Sequence, residues 1–168
     1  MKKTPLLIAL SALAMLAVAA PAPPAAAQDA KSAGKLVLLA DTNFFATPAN
    51  PANCTMTNRF KHGDNVGFRL YALDGGTGKA EESAVVVVHL TSGGKTYDLP
   101  AKYRGIPQKD ETGANMPVHA GMWTAKWTVP NDAPTGTLQY SATAKDKYGR
   151  TAEWTPLGDK RSYVTIVQ

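Results

Sequence analysis

Pro134-Thr135-Gly136-Thr137-Leu138-Gln139-Tyr140-Ser141-Ala142-Thr143-Ala144-Lys145-Asp146-Lys147-Tyr148-Gly149-Arg150-Thr151 decides how this chain folds. Leu138, Tyr140, Ala142 and Ala144 occupy every second position, with Gln139, Ser141 and Thr143 between them. A period of two places the apolar residues on one face of a β-strand and the polar ones on the other. Pro134 and Gly136 supply a turn on entry, and Asp146 to Gly149 supply one on exit. The stretch therefore reads as turn, strand, turn and a new strand from Thr151.

The same alternation recurs outward from that point. Val66, Phe68, Leu70 and Ala72 alternate with Gly67, Arg69 and Tyr71. Trp123, Ala125, Trp127 and Val129 alternate with Thr124, Lys126 and Thr128, so both tryptophans are expected between the sheets. Ser92-Gly93-Gly94-Lys95 is a tight hairpin signal, and Thr96 to Leu99 is the return strand. The β-branched run from Ala84 to Leu90 predicts a central strand covered on both faces. Lys35 to Ala40 predicts a first strand. Residues 41–58 and 100–121, rich in Pro and Asn or in Pro, read as irregular segments too long for plain turns. Residues 151–154 and 162–167 supply the last strands. No three-to-four residue apolar period is sustained outside the N-terminal 27 residues. Short strands separated by Gly/Pro turns predict an all-β protein, an antiparallel sandwich of seven or eight strands.

Two motifs carry a family resemblance. The Pro-x-Gly entry and Asp-x-x-Gly exit around residues 134–151, with Phe60-Lys61-His62-Gly63-Asp64-Asn65-Val66 leading into a strand, resemble bacterial immunoglobulin-like domains of the fibronectin-III-like kind. The resemblance covers roughly residues 60–167. It implies an immunoglobulin-like β-sandwich over 59–168, preceded by an N-terminal strand and irregular segment over 28–58. It implies no reaction.

The N-terminus reads as a targeting segment. Lys2 and Lys3 form a positive start, Leu6 to Ala20 is apolar, and Ala25-Ala26-Ala27 fits a small-residue cleavage site. The expectation is a signal peptide over 1–27, cut after Ala27, and a periplasmic or secreted protein. The apolar run is shorter than the roughly 20 residues of a membrane span, so an integral membrane protein is not expected. Loss of Lys2 and Lys3 lowers the formal charge from +5 to +3. That balance, without a Lys/Arg block, excludes a nucleic-acid footprint. The single cysteine, Cys54, allows no internal disulfide.

Catalytic signatures are missing: there is no Gly-x-Ser-x-Gly elbow and no His-Glu-x-x-His. Glu81-Glu82 reads as a solvated strand edge. Met116-Pro117-Val118-His119-Ala120-Gly121-Met122 is different. Two thioethers flank one imidazole in a segment that Pro117 and Gly121 keep out of regular structure. Soft sulfur and imidazole ligands suit Cu(I). The ligand style resembles the Met/His loops of periplasmic copper carriers. Met116, His119, Met122 and Cys54 are therefore the candidate copper ligands. Cys54-Thr55-Met56 and His62 form a second set of similar chemistry. The preferred reading is a non-enzymatic exported module that binds another periplasmic or extracellular protein through residues 41–58 and 100–121. A copper carrier is the first alternative. A carbohydrate-binding domain, with Trp154 as stacking platform, is the second.

Overall fold

The computed structural model describes residues 34–47, 55–110, 112–158 and 163–168. Thirteen strands and no helix occur among them. Eight have three or more residues: β1 (Leu36–Phe45), β4 (Asn65–Asp74), β5 (Val85–Ser92), β6 (Lys95–Pro100), β10 (Trp123–Thr128), β11 (Gly136–Lys145), β12 (Thr151–Trp154) and β13 (Val164–Ile166). Five are two-residue pieces: β2 (Thr55–Met56), β3 (Arg59–Phe60), β7 (Lys102–Tyr103), β8 (Gln108–Lys109) and β9 (Asn115–Met116).

One sheet runs in the order β2-β1-β4-β10-β7. The other runs β3-β13-β11-β5-β6, with β12 paired to the far half of β11. Every pairing is antiparallel except that of β3 with β13. This is the expected all-β sandwich. Its inner faces are the apolar rows read from the sequence. Val66, Phe68, Leu70 and Ala72 of β4 are at most 1% exposed, as are Val86, Val88 and Leu90 of β5. Trp123 and Trp127 are buried in the same core. The Phe68 and Tyr140 rings meet across it at 5.1 Å, tilted by 55°, a geometry that suits two aromatic quadrupoles. Burial, and then the charge of Asp41, raise the Tyr140 pKa well above the ordinary phenol value.

Three expectations need correction. The first strand does not stop at Ala40: β1 continues through Phe45 and pairs with β4 over its whole length, from Leu36↔Asp74 to Phe45↔Asn65. Thr42 and Phe44 keep the inward phase of Leu36 and Leu38, and Asn43 takes the opposite face. The run from Ala84 is central in its sheet but covered on one face only, and Val85 is 68% exposed. Residues 100–121 are not simply irregular, since they contain β7, β8 and β9. The Ser92–Lys95 hairpin follows its reading. Gly93 and Gly94 both take positive φ, 55° and 74°, as the mirror-image two-residue turn requires.

Glu81 is the fourth correction. Its carboxylate is not solvated but joins Asp74 and Asp146 around Arg150. The guanidinium donates to Asp146 Oδ2 at 2.5 Å, Asp74 Oδ2 at 2.5 Å and Glu81 Oε2 at 2.7 Å. It also donates to the Gly34 carbonyl at 2.9 Å. All four side chains are at most 13% exposed. The spare oxygens are satisfied: Asp74 Oδ1 accepts from Gly76 and Thr77 N–H, Asp146 Oδ1 from Tyr148 and Arg150 N–H, and Glu81 Oε1 from the Ser83 hydroxyl. Gly149, at φ 81°, closes the Asp146 turn that delivers Arg150. One cation thus ties the start of β1, the β4–β5 connection and the β11–β12 hairpin.

Burial alone would raise the Asp146 pKa. The hydrogen bonds from Arg150 override it and hold the carboxyl below its ordinary 3.8. A depressed folded value stabilises the fold above the unfolded value, and that contribution disappears as pH falls through the folded one. Unfolding midpoints in urea should therefore be flat from neutral pH down to about 5 and fall below about 4. In Asp146→Asn this acid limb should shrink. Arg150→Met, which leaves three buried carboxylates without their cation, should lower Tm by about 10 °C. A loss under about 3 °C in a thermal melt would mean that the cluster is not what holds this end together.

Candidate functional site

Residues 104–110 and 112–121 form an arm at the β7 edge of the five-stranded sheet. The chain reaches it by leaving the six-stranded sheet after β6; the Ala101 N–H still bonds the Val86 carbonyl at 2.9 Å. β7 then pairs with the first residues of β10, Tyr103 opposite Trp123. That ladder continues past the named strands. Arg104 N–H donates to Met122 O at 2.8 Å, and His119 N–H donates to Arg104 O at 2.8 Å.

Tyr103 is the anchor of the arm. Its ring lies 4.7 Å from Trp123, and its hydroxyl donates to Glu82 at 2.6 Å. The same oxygen accepts from Gly121 N–H at 3.4 Å. Burial first, and the Glu82 hydrogen bond second, raise the Tyr103 pKa, so the phenol stays protonated and donating at neutral pH. Gln108 Nε2 donates to the Tyr103 carbonyl, and an Arg104 amino group donates to the Pro117 carbonyl at 3.2 Å.

Beyond that base, β8 pairs only with β9, and the two belong to neither main sheet. Asp110 makes the turn between them. Its carboxylate accepts from Thr112 Oγ1 at 2.7 Å, Thr112 N–H at 2.8 Å and Ala114 N–H at 3.0 Å. The Thr112 hydrogen bond, then that of Ala114, lower the Asp110 pKa. This ribbon holds its shape through its own backbone and one Asx turn. The apolar side chains that flank it are left open: Ile106 is 57% and Val118 52% exposed.

Met116 ends β9 and is half-buried, His119 is exposed, and Met122 is half-buried at the arm's base. His119 and Met122 bracket one tight turn, with Met122 N–H on His119 O at 3.3 Å. The Met122 thioether accepts from the Tyr71 hydroxyl at 3.7 Å. Cys54 lies outside the described residues. Met56, 67% exposed on β2, sits at the opposite edge of the same sheet. Four strand spacings separate it from the arm, on the order of 20 Å. His62 is engaged elsewhere, its Nε2 2.8 Å from the Ala133 carbonyl. Met56 and His62 are therefore not brought to the Met116–Met122 segment. Among the described residues no group of three His, Cys, Asp or Glu side chains is placed to hold a metal. Trp123 and Trp127 are core residues, and Trp154 packs against Tyr140 at 5.5 Å.

Nothing in the sequence distinguishes open apolar residues such as Ile106 and Val118 from buried ones in a Pro-rich segment. No family model matches this chain, and no curated protein matches it either.

Gly121 sets the arm's base. Its φ is +77°, and a Cβ there would stand 3.1 Å from the Ala80 Cβ. Gly121→Ala should destabilise the fold by about 1–2 kcal/mol, the left-handed penalty of an L-residue. Urea unfolding reads it directly, and an unchanged midpoint would show that the base is free to shift.

Proposed function

We propose that this protein is an exported, non-enzymatic recognition module of the immunoglobulin-like kind, and that the arm of residues 104–121 is its binding surface for another periplasmic or extracellular protein. The observation that carries this reading is the pairing of a rigid anchor with an open apolar tip. Tyr103, half-buried against Trp123 and bonded to Glu82, fixes where the arm leaves the sheet. Ile106 and Val118 then present apolar surface that the fold does not cover. Such a surface is stable in isolation only when small, and gains when a partner removes it from water. Preorganisation by backbone hydrogen bonds reduces the ordering entropy lost on binding. Arg104 and Lys109 on the arm add a polar, basic rim.

A photo-cross-linking amino acid placed at Ile106 or Val118, in the full chain expressed in its own host, should yield a discrete adduct. The same probe at Leu157, 75% exposed and remote in sequence from the arm, should not. An Asp at the other arm position should abolish the adduct. Equal labelling from all three positions, or none from the arm, would exclude the arm as the interface.

Copper loading is a second reading of the same arm. It is favoured by the exposed His119 ring and by the turn that holds His119 beside Met122. Cu(I) titrated against a chromophoric chelator should be withdrawn by the parent protein. The triple variant Met116→Leu, His119→Ala, Met122→Leu should not withdraw it. Equal uptake by both proteins removes this reading and leaves the protein interface standing.

A further inference from the structure

The six-stranded sheet leaves its outer face open, and part of that face is concave. β11 forms the floor of a groove open to solvent, with β5 as one wall and β12 as the other; it holds about 710 Å³. Pairing register sorts its lining into two rows. Val85, Lys145 and Thr151 stand side by side in one, and Val87, Thr143 and Glu153 in the next. The β5 wall is apolar, and its Val85 is among the most exposed large apolar residues of the protein.

The polar groups are not arranged at random. Asp98 Oδ1 lies 2.7 Å from His89 Nδ1, and His89 Nε2 lies 2.8 Å from Thr143 Oγ1. In the tautomer with the ring proton on Nδ1 facing the carboxylate, Nε2 accepts the hydrogen bond that the Thr143 hydroxyl donates. Thr143 then offers the groove only lone pairs. Its cross-strand neighbour Glu153 is also an acceptor. The second row therefore presents two acceptors face to face. The first presents the Lys145 ammonium beside the Thr151 hydroxyl, both able to donate. Neither Lys145 nor Glu153 is in an ion pair among the described residues. Rows of one strand face lie about 6.7 Å apart.

We propose that this groove binds a short apolar peptide by its two free ends. The peptide ammonium sits between Thr143 and Glu153, its carboxylate on Lys145 and Thr151, and its apolar side chains against Val85 and Val87. A dipeptide has the length for this, since extended chain advances about 3.3–3.6 Å per residue. A void of this size is within the range of small-ligand sites, roughly 300–1,000 Å³. His89 and Asp98 act as positioning residues: they fix the direction of the Thr143 hydroxyl and do not touch the ligand. The groove lies on the sheet that does not carry the arm, so it stands independently of the arm's role.

Calorimetric titration of the protein purified from the full chain with Leu-Leu tests this. Saturable binding at one site is expected. N-acetyl-Leu-Leu-amide, which lacks both charges, should bind at least about tenfold more weakly, as should Leu-Leu to Lys145→Met and to Glu153→Gln; that is the effect of losing one charge-assisted hydrogen bond. Both substituted positions are exposed on the sheet surface, and an unchanged Tm confirms that each variant is folded. No saturable heat up to millimolar Leu-Leu overturns the proposal. So does equal binding of the blocked peptide, a comparison that needs no variant. Binding that survives both substitutions places the peptide elsewhere and overturns it too.

Discussion

The bonding of one guanidinium to three buried carboxylates is what the rest of this structure depends on. Arg150 reaches Asp74, Glu81 and Asp146, and those residues belong to three separate parts of the chain. Such a cluster is stable only when complete. Removing the cation leaves desolvated like charges, whereas removing one acid leaves donors without acceptors. The backbone N–H groups of the Asp74 and Asp146 turns finish the job by satisfying the remaining oxygens. In a chain whose one cysteine forbids an internal disulfide, this is the nearest equivalent to a covalent clasp. The apolar core supplies the bulk of the stability, but it is non-directional. The cluster sets which strand ends meet, and so fixes the relation between the two sheets at that end.

With that end fixed, the opposite tendencies of the arm become intelligible. Its base is tied by Tyr103 to the buried Trp123, to the exposed Glu82 and to the Gly121 backbone. Its ribbon is held mainly by the β8–β9 pairing and the Asp110 turn, with the Gln108 amide on the Tyr103 carbonyl as a link to the base. A segment held by local hydrogen bonds and little apolar contact opens at low free energy compared with the sandwich. That is the common division of labour in β-sandwiches, where rigid sheets present less rigid connections. The groove on the other sheet follows different physics: its side chains are placed by strand register, so its geometry is as firm as the sheet itself.

Much of the scaffold was legible in the sequence because a period of two is a strong signal when one face is buried. The rows from Val66, Trp123 and Leu138 all point inward as alternation requires. Even the His89–Asp98 pair follows from sequence arithmetic, because a two-residue turn at Gly93-Gly94 sets Ser92 opposite Lys95 and hence His89 opposite Asp98. What was not legible depends on contacts distant in the chain. Glu81 looks like a solvated acid until Arg150, 69 residues away, is folded onto it. The β-branched run at Val85–Val88 signals a strand but not whether its second face is covered. The continuation of β1 was hidden by Asp41, Thr42 and Asn43, whose composition suggests a loop although Thr42 and Phe44 keep the strand's phase. In the candidate site, Met116, His119 and Met122 stand out by composition alone. That Ile106 and Val118 are the open apolar residues could emerge only from packing.

Recognition by this protein turns on whether the arm is where a partner sits. Hydrogen–deuterium exchange, measured on the protein alone and again in its complex with the partner recovered by cross-linking, tests this most directly. Amides between Arg104 and Gly121 should exchange faster than those of β4, β5, β10 and β11 in the free protein, and the arm's amides should be the ones slowed in the complex. Slowing confined to the outer face of either sheet or to β1 and β2, with the arm unchanged, would contradict an interface on the arm.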